Sequence, residues 1–217
     1  MEKLFVKTLE VGMFHTNCYI VMDKSSCDGF VIDPGAEARK IISAVTDAGV
    51  KCKAILCTHG HMDHVGAAGK VAEALNARLF VSRIDSGVLD GSARGIGGRL
   101  SSMIAGMKSG DVEHLEASQI FEFGAREIKV VPTPGHTLGS MSFIAGDSIF
   151  CGDLVFQGSI GRTDLSGGSL SQLLASVRKH VWTLPGDARI FPGHGPATTV
   201  RAEKATNPYL HGIEREC

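Results

Sequence analysis

No run of about 18 consecutive apolar residues occurs anywhere in the 217-residue sequence, so no membrane-spanning helix is expected. The N-terminus, Met1-Glu2-Lys3-Leu4-Phe5-Val6-Lys7, breaks its short apolar stretch with charges and lacks the apolar core of a secretory signal. The charge balance is close to even, with 22 Lys and Arg against 23 Asp and Glu. The pI is about 6.7. No global field therefore draws the chain to nucleic acid or an anionic membrane, although a local basic group can still bind a small anion. None of the six cysteines (Cys18, Cys27, Cys52, Cys57, Cys151, Cys217) forms a C-x-x-C pair. With no export signal, the expectation is free thiols in a reducing cytosol, several of them buried, and a cytoplasmic location. Cys151 stands out because it lies two residues before a candidate metal ligand. Internal repeats and low-complexity segments are also missing.

What is present is the composition of a globular protein, 43% hydrophobic and 21% charged. The length suffices for one ordinary domain or two small ones. Short apolar or β-branched runs predict strands over 4–9, 18–22 and 29–32, the third closed by Asp33-Pro34-Gly35. Helical periodicity follows over 36–48, ended by Gly49. A buried strand is expected over 54–57, one helix over 64–76 and a strand over 79–81. From 90 to 117 glycines break the pattern, with serine-rich intervals. That segment reads as an excursion from the core and a candidate lid, with one short helix over 100–107. Strands are expected again over 120–123, 127–131, 140–145, 148–151 and 190–191, with helices over 169–182 and 200–205. The alternating order suits two sheets flanked by helices in a single domain, residues 1–217.

The chemistry concentrates in Thr58-His59-Gly60-His61-Met62-Asp63-His64. This stretch begins where a buried strand ends and finishes where an amphipathic helix starts. In an extended chain, residues 59, 61 and 63 project to one side, and His64 swings in as the helix begins. Imidazoles and a carboxylate converging in this way suit zinc, iron or manganese. Three later positions repeat the arrangement of a ligand on a turn after a strand: His136 in Pro134-Gly135-His136, Asp153 in Cys151-Gly152-Asp153, and His194 in Pro192-Gly193-His194. Taken singly, each has a bland role: Asp63 as a helix cap, Asp153 as a loop bridge, His136 and His194 as turn residues. Taken together, five of the nine histidines occupy one set of strand-end turns, and the metal reading prevails. His15, His114, His180 and His211 have no ligand-type neighbours at useful spacing and are read as solvated or core residues.

These motifs resemble the signature of the metallo-β-lactamase superfamily, T-H-x-H-x-D-H followed by later His, Asp and His positions. The resemblance spans almost the whole chain. It implies an α/β (α+β) fold, the four-layer αββα sandwich, with two divalent metal ions at its edge. Zinc is the first expectation, with iron or manganese as alternatives. The family pattern assigns His59, His61 and His136 to one metal, Asp63, His64 and His194 to the other, and Asp153 to a bridge between them. Within the superfamily, Asn17-Cys18-Tyr19, Gly161-Arg162-Thr163-Asp164, Pro192-Gly193-His194-Gly195-Pro196 and Asn207-Pro208 resemble the compact glyoxalase II-like (hydroxyacylglutathione hydrolase) enzymes. Glyoxalase II carries an additional C-terminal helical region that supplies much of its glutathione contact, and this chain ends soon after Asn207. The acyl chemistry carries over more safely than glutathione itself.

The expected activity is hydrolysis of a small-molecule thioester, such as S-lactoylglutathione or another hydroxyacyl thioester, by a metal-bridging hydroxide. Asp63 and Asp153 are the candidate catalytic carboxylates. Two metals sharing a water lower its pKa toward neutrality, and a thiolate leaving group needs little acid assistance. Arg162 is a candidate for a substrate carboxylate, with a salt bridge to Asp164 as its competing role. Cys151 is expected to act only behind the ligands. The alternative reading is a one-iron persulfide dioxygenase on the same fold. True β-lactamases resemble the chain less, since one major class has cysteine where Asp153 stands. A non-catalytic binding module would be expected to have lost ligands, and the nucleases of the superfamily would need additional sequence. No nucleic-acid or membrane partner is expected.

Overall fold

In the computed structural model, which describes residues 4–87 and 112–213, the strands sort into two six-stranded sheets. The first runs in sequence order: β1 (Phe5–Val11), β2 (Thr16–Met22), β3 (Asp28–Ile32), β4 (Lys51–Leu56), β5 (Arg78–Ser82) and β6 (Val112–Leu115). Its first three strands are antiparallel and β3 to β6 are parallel. The second sheet is built from β7 (Ile120–Phe123), β8 (Arg126–Pro132), β9 (Met141–Ala145), β10 (Ser148–Gly152), β13 (Arg189–Pro192) and β14 (Thr198–Thr199). Between β10 and β13 it is parallel, because a helical segment returns the chain. A small hairpin, β11 (Val155–Phe156) with β12 (Ser159–Ile160), stands apart.

The two-residue period of the strands explains the layering. On β2, Tyr19 and Val21 face the core between the sheets, while Cys18 and Ile20 face outward beneath helices. On β10, Phe150 faces the inner core and Ile149 and Cys151 the outer one. Phe30, Phe123, Phe143, Phe150 and Phe191 fill the inter-sheet space, with Phe150 stacked on Phe191 at 4.7 Å. Fully burying one such side chain contributes roughly 1.5–3 kcal/mol. Helices α1 (Ala38–Asp47) and α3 (Ala68–Leu75) cover the first sheet through Ile41, Val45 and Val71. Helices α4 (Leu170–Ser176), its π-helical continuation Val177–Val181, and α5 (Val200–Thr206) cover the second through Leu173, Val177, Val181 and Val200. The result is the expected αββα order.

Two expectations are corrected. The helix read over 64–76 is two: α2 (Met62–Val65) and α3, broken at Gly66–Ala67. There the chain is pinned instead by a bond from the Ala67 amide to the Pro34 carbonyl, 3.0 Å. A side chain at Gly66 would meet the Gly35 and Met62 carbonyls at 2.6 Å. Within the stretch 90–117, expected to be an excursion from the core, Val112–Leu115 is instead a sheet strand paired with Leu79–Ser82. Residues 88–111, including the helix expected over 100–107, lie outside the described residues. Among the described residues no helix is long and apolar enough to cross a membrane.

Candidate metal centre

The loops that matter leave the carboxyl ends of β4 in the first sheet and of β8, β10 and β13 in the second. His59 and His61 follow β4, with Asp63 and His64 on α2. His136 follows β8, Asp153 follows β10, and His194 follows β13. The two sheets bring these ends to one edge, and the seven side chains meet there in three overlapping sets: His59/His61/His136, His59/His64/Asp153 and Asp63/His64/His194. Within each set the ligand-type atoms lie within 4.8 Å of one another. The extended-chain argument holds only for residues 59 and 61. Asp63 sits in the first turn of α2 and belongs to a different set from them. Nor is it the cap of that helix: the capping position is His61, and the Asp63 carboxylate accepts from Thr16 Oγ1 at 3.1 Å and faces His194 at 3.3 Å.

Four of the five imidazoles have their outer nitrogen claimed. His64 Nδ1 donates to Asp33 Oδ2 at 2.9 Å, and Thr58 Oγ1 donates to the same carboxylate oxygen at 2.7 Å. With its proton so directed, Thr58 Oγ1 accepts from His59 Nδ1 at 3.0 Å. His136 Nδ1 donates to the Arg162 carbonyl at 2.8 Å and His194 Nδ1 to the Phe14 carbonyl at 3.1 Å. In each case Nε2 is left pointing inward for a proton or a cation, the usual way a protein orients metal-binding histidines. His61 is the exception: its Nδ1 faces inward, 3.1 Å from His59 Nε2 and 2.9 Å from His136 Nε2. Nitrogens that face one another so closely repel unless a cation or proton lies between them. Asp153 reaches toward both outer sets, with Oδ1 3.4 Å from His64 Nε2 and Oδ2 3.5 Å from His136 Nε2 and 3.7 Å from His194 Nε2. Its Oδ1 is buried and makes no hydrogen bond among the described residues, since the His64 contact has ion-pair distance without bonding geometry. Facing imidazoles, ionised carboxylates and an unsatisfied buried oxygen fit divalent cations such as zinc, iron or manganese.

The charges agree with that fit. Burial holds His59 well below its ordinary value, and the neighbouring imidazoles of His64, His136 and His61 push it further. His61 is lowered by burial and by His136 and His64. Burial opposes ionisation of Asp153 and Asp63, yet both are held below the usual carboxylate range, Asp153 by His64, His194 and His136, and Asp63 by a hydrogen bond from His194 and by His64. Burial opposes a charge on His64, but Asp153 and Asp33 outweigh it and the group is raised. His194 is raised chiefly by its bond to Asp63.

Backbone geometry lets these loops approach. A side chain at Gly193 would collide with Asp153 Oδ1 and lie 2.6 Å from His64 Cε1. The His194 loop is held from β2: Asn17 Nδ2 donates to the Pro192 and Gly195 carbonyls at 3.1 and 2.7 Å, and Tyr19 OH donates to Pro192 at 2.5 Å. Asp85 braces the other side, its Oδ2 accepting from the Gly60 amide at 3.1 Å and from Thr137 Oγ1 at 2.7 Å.

Arg162 serves the centre through its carbonyl. Its guanidinium is exposed and held in a bidentate pair with Asp164 at 2.9 and 2.8 Å, the competing role foreseen for it. Cys151 is buried behind Asp153, and burial pushes its thiol up to about 12, so it is not a nucleophile. The five described cysteines are free. Asp33 and Asp85 escape the sequence reading, because one sits in a turn motif and the other in no motif. The available signal for Asp33 was a carboxylate ending a buried strand that a parallel-sheet reading places beside the His59 strand.

A donor set of this kind, on the strand-end loops of an αββα sandwich, is the layout of a metal-dependent hydrolase. Residues 11–194 match the family model described as Metallo-beta-lactamase superfamily, and the chain belongs to that superfamily. It is 31% identical over 208 residues, 95% of this chain and 98% of the relative, to the hydroxyacylglutathione hydrolase GloC of Haemophilus influenzae. Among solved structures it is similar to the BLEG-1 B3 metallo-beta-lactamase, with 32% identity, TM-score 0.84, and coverage of 96% of this chain and 100% of that one. It is also similar to TTHA1623 in a di-iron-bound form, with 34% identity, TM-score 0.78, and coverage of 94% and 100%.

Proposed function

We propose that this metal-dependent hydrolase cleaves thioesters of hydroxy acids, S-lactoylglutathione being the first to test, with two divalent ions held between His59, His61 and His136 on one side and Asp63, His64 and His194 on the other. The observation that carries the reading is Asp153, whose two carboxylate oxygens reach toward both sets. Bound divalent ions supply a water of lowered pKa and a positive field for the carbonyl oxygen. The protein's own contribution is orientation. Asp33, Thr58, and the Arg162 and Phe14 carbonyls fix the imidazole tautomers before any ligand arrives. Asp153, ionised and in contact with both sets, is placed to orient a nucleophilic water and to take its proton. A thiolate, with an ordinary pKa near 8.5, leaves without a strong general acid, and none is needed at the site.

The likeness to the hydrolase of Haemophilus influenzae supports the thioester, and the di-iron form of TTHA1623 supports two metals, with iron beside zinc as a candidate. The test is a hydrolysis panel on metal-loaded protein and His59→Ala. Thioester turnover lost in the variant and in chelator-stripped protein is the expected result. A chromogenic β-lactam and oxygen uptake with glutathione persulfide on iron-loaded protein are the competing arms. Turnover of either with no thioester hydrolysis would replace the proposal with a β-lactamase or a persulfide dioxygenase.

A further inference from the structure

Beside His61 a cavity of about 550 Å³ opens at the carboxyl ends of β4 and β5, a size suited to a substrate rather than to water alone. Besides His61, its charged lining side chains among the described residues are Arg83 and Asp85, and the two are used differently. The Asp85 carboxylate is turned into the scaffold, bonded to the Gly60 amide and Thr137 hydroxyl. The exposed Arg83 guanidinium makes no ion pair or hydrogen bond among the described residues; only its carbonyl is engaged, by Ser86 Oγ at 3.0 Å. The cavity thus presents one uncommitted positive fork, with hydroxyls and glycines around it (Ser86, Thr137, Ser166, Gly87). Arg162, the guanidinium that the sequence draws attention to, is already paired with Asp164.

We infer that Arg83 is the specificity-determining anchor for an anionic group, a carboxylate or phosphate, on the carrier half of the substrate, which lies in the cavity beside His61. This rests on the thioesterase reading, and it fixes the direction in which the substrate lies. The thiol carrier extends past the carboxyl end of β5 on the side of the His59/His61/His136 set, and the acyl group points toward Asp63 and His194. A planar fork pairs with two oxygens at once, so replacement by lysine keeps the charge but not the geometry.

The experiment compares lactoyl thioesters of glutathione (carboxylates), of coenzyme A (phosphates) and of uncharged N-acetylcysteamine on the metal-loaded full chain. Wild type, Arg83→Ala, Arg83→Lys and, as a surface-charge control, Arg39→Ala are assayed. Arg83→Ala is expected to lower the preference for a charged over the neutral carrier by about tenfold or more, through KM rather than kcat. Arg83→Lys should restore part of it, and Arg39→Ala should leave the preference as in wild type. Whichever charged carrier shows the loss identifies the anion. Binding of the matching S-methyl thioethers, followed by calorimetry, is read on the same variants and does not depend on turnover. Charge-selective loss of binding without any thioester hydrolysis would sink the thioesterase reading and leave Arg83 as the anchor. Equal effects of Arg83→Ala on charged and neutral carriers, or no preference for a charged carrier in wild type, would overturn the inference.

Discussion

Asp33 Oδ2 accepts a hydrogen bond from His64 Nδ1 across 2.9 Å, and neither residue is exposed to solvent. The same carboxylate accepts from the Thr58 amide and hydroxyl, each at 2.7 Å, and through Thr58 Oγ1 it also sets the His59 ring. One aspartate at the end of β3 therefore orients a histidine in each outer set.

Replacing Asp33 by alanine should consequently cost both metals. Such outer partners typically contribute 10–100-fold in metal affinity. The expected loss is within that range, measured by competition with a chromophoric chelator, with Asp33→Asn milder because it can still accept from Thr58. An Asp33→Ala variant that is folded and binds metal as tightly as the parent would count against this role.

Metal affinity should rise with pH through the neutral range, and binding should release protons. His64, raised by Asp153 and Asp33 against the effect of burial, and His194, raised by Asp63, retain protons that a cation must displace from Nε2. Calorimetry in two buffers of different ionisation enthalpy reads the number released. Proton uptake, or affinity that falls as pH rises, would contradict the assignment of these nitrogens.

Asp23 links the β2–β3 turn to the β7–β8 turn through Arg126 Nε at 3.0 Å and the Ser25 and Ser26 amides at 2.9 and 3.0 Å. Hydrogen bonds from the Ser25 side chain and the Ser26 amide, with Arg126, hold its carboxyl at about 2. Because the folded value lies below the unfolded one of about 3.9, its contribution is full above about pH 4 and fades as pH falls toward 2. Asp23→Asn should lower Tm at neutral pH, with the gap to the parent closing on acidification. A gap constant down to pH 2 would show that the charge is irrelevant.

Glu203, buried in α5, accepts from Thr198 Oγ1 at 2.6 Å, Asn207 Nδ2 at 2.8 Å and the Gly158 amide at 2.9 Å. It fastens the β11–β12 hairpin, which lies between Asp153 and Arg162. Glu203→Ala strands the Thr198 and Gly158 donors, while Asn207 Nδ2 keeps the Ser159 and Phe156 carbonyls at 2.9 and 3.4 Å, and should destabilise the fold by about 2 kcal/mol, roughly 4–8 °C in Tm for a chain of this size. A change under about 1 kcal/mol would mean that water replaces the carboxylate at little cost.

The layered fold and the cluster were legible for one reason: strand periodicity and strand-end turns are local signals. His59, His61, His136, Asp153 and His194 each follow an apolar run that is plainly a strand. Tertiary partners are not local. That Arg162 and Phe14 offer their carbonyls to His136 and His194 depends on loops meeting 26 and 180 residues apart, and side-chain chemistry gives no hint of it. Asn17 and Tyr19 belonged to a recognisable motif, but their task, holding Pro192–Gly195, becomes visible only when β2 lies beside β13. The helical pattern over 64–76 concealed its break, because Val65, Ala68, Val71 and Ala72 are buried on both sides of it. Val112–Leu115 escaped because a four-residue strand after a glycine-rich stretch carries too little periodicity to stand out.

The most direct measurement is the metal content of the purified chain, by mass spectrometry of the elements, read together with thioester hydrolysis during stepwise removal and return of the metal. Close to two divalent ions per chain, with activity that falls and recovers in step with them and is absent from His59→Ala, is the expected outcome. A chain that hydrolyses the thioester equally well with no metal bound would contradict the central claim.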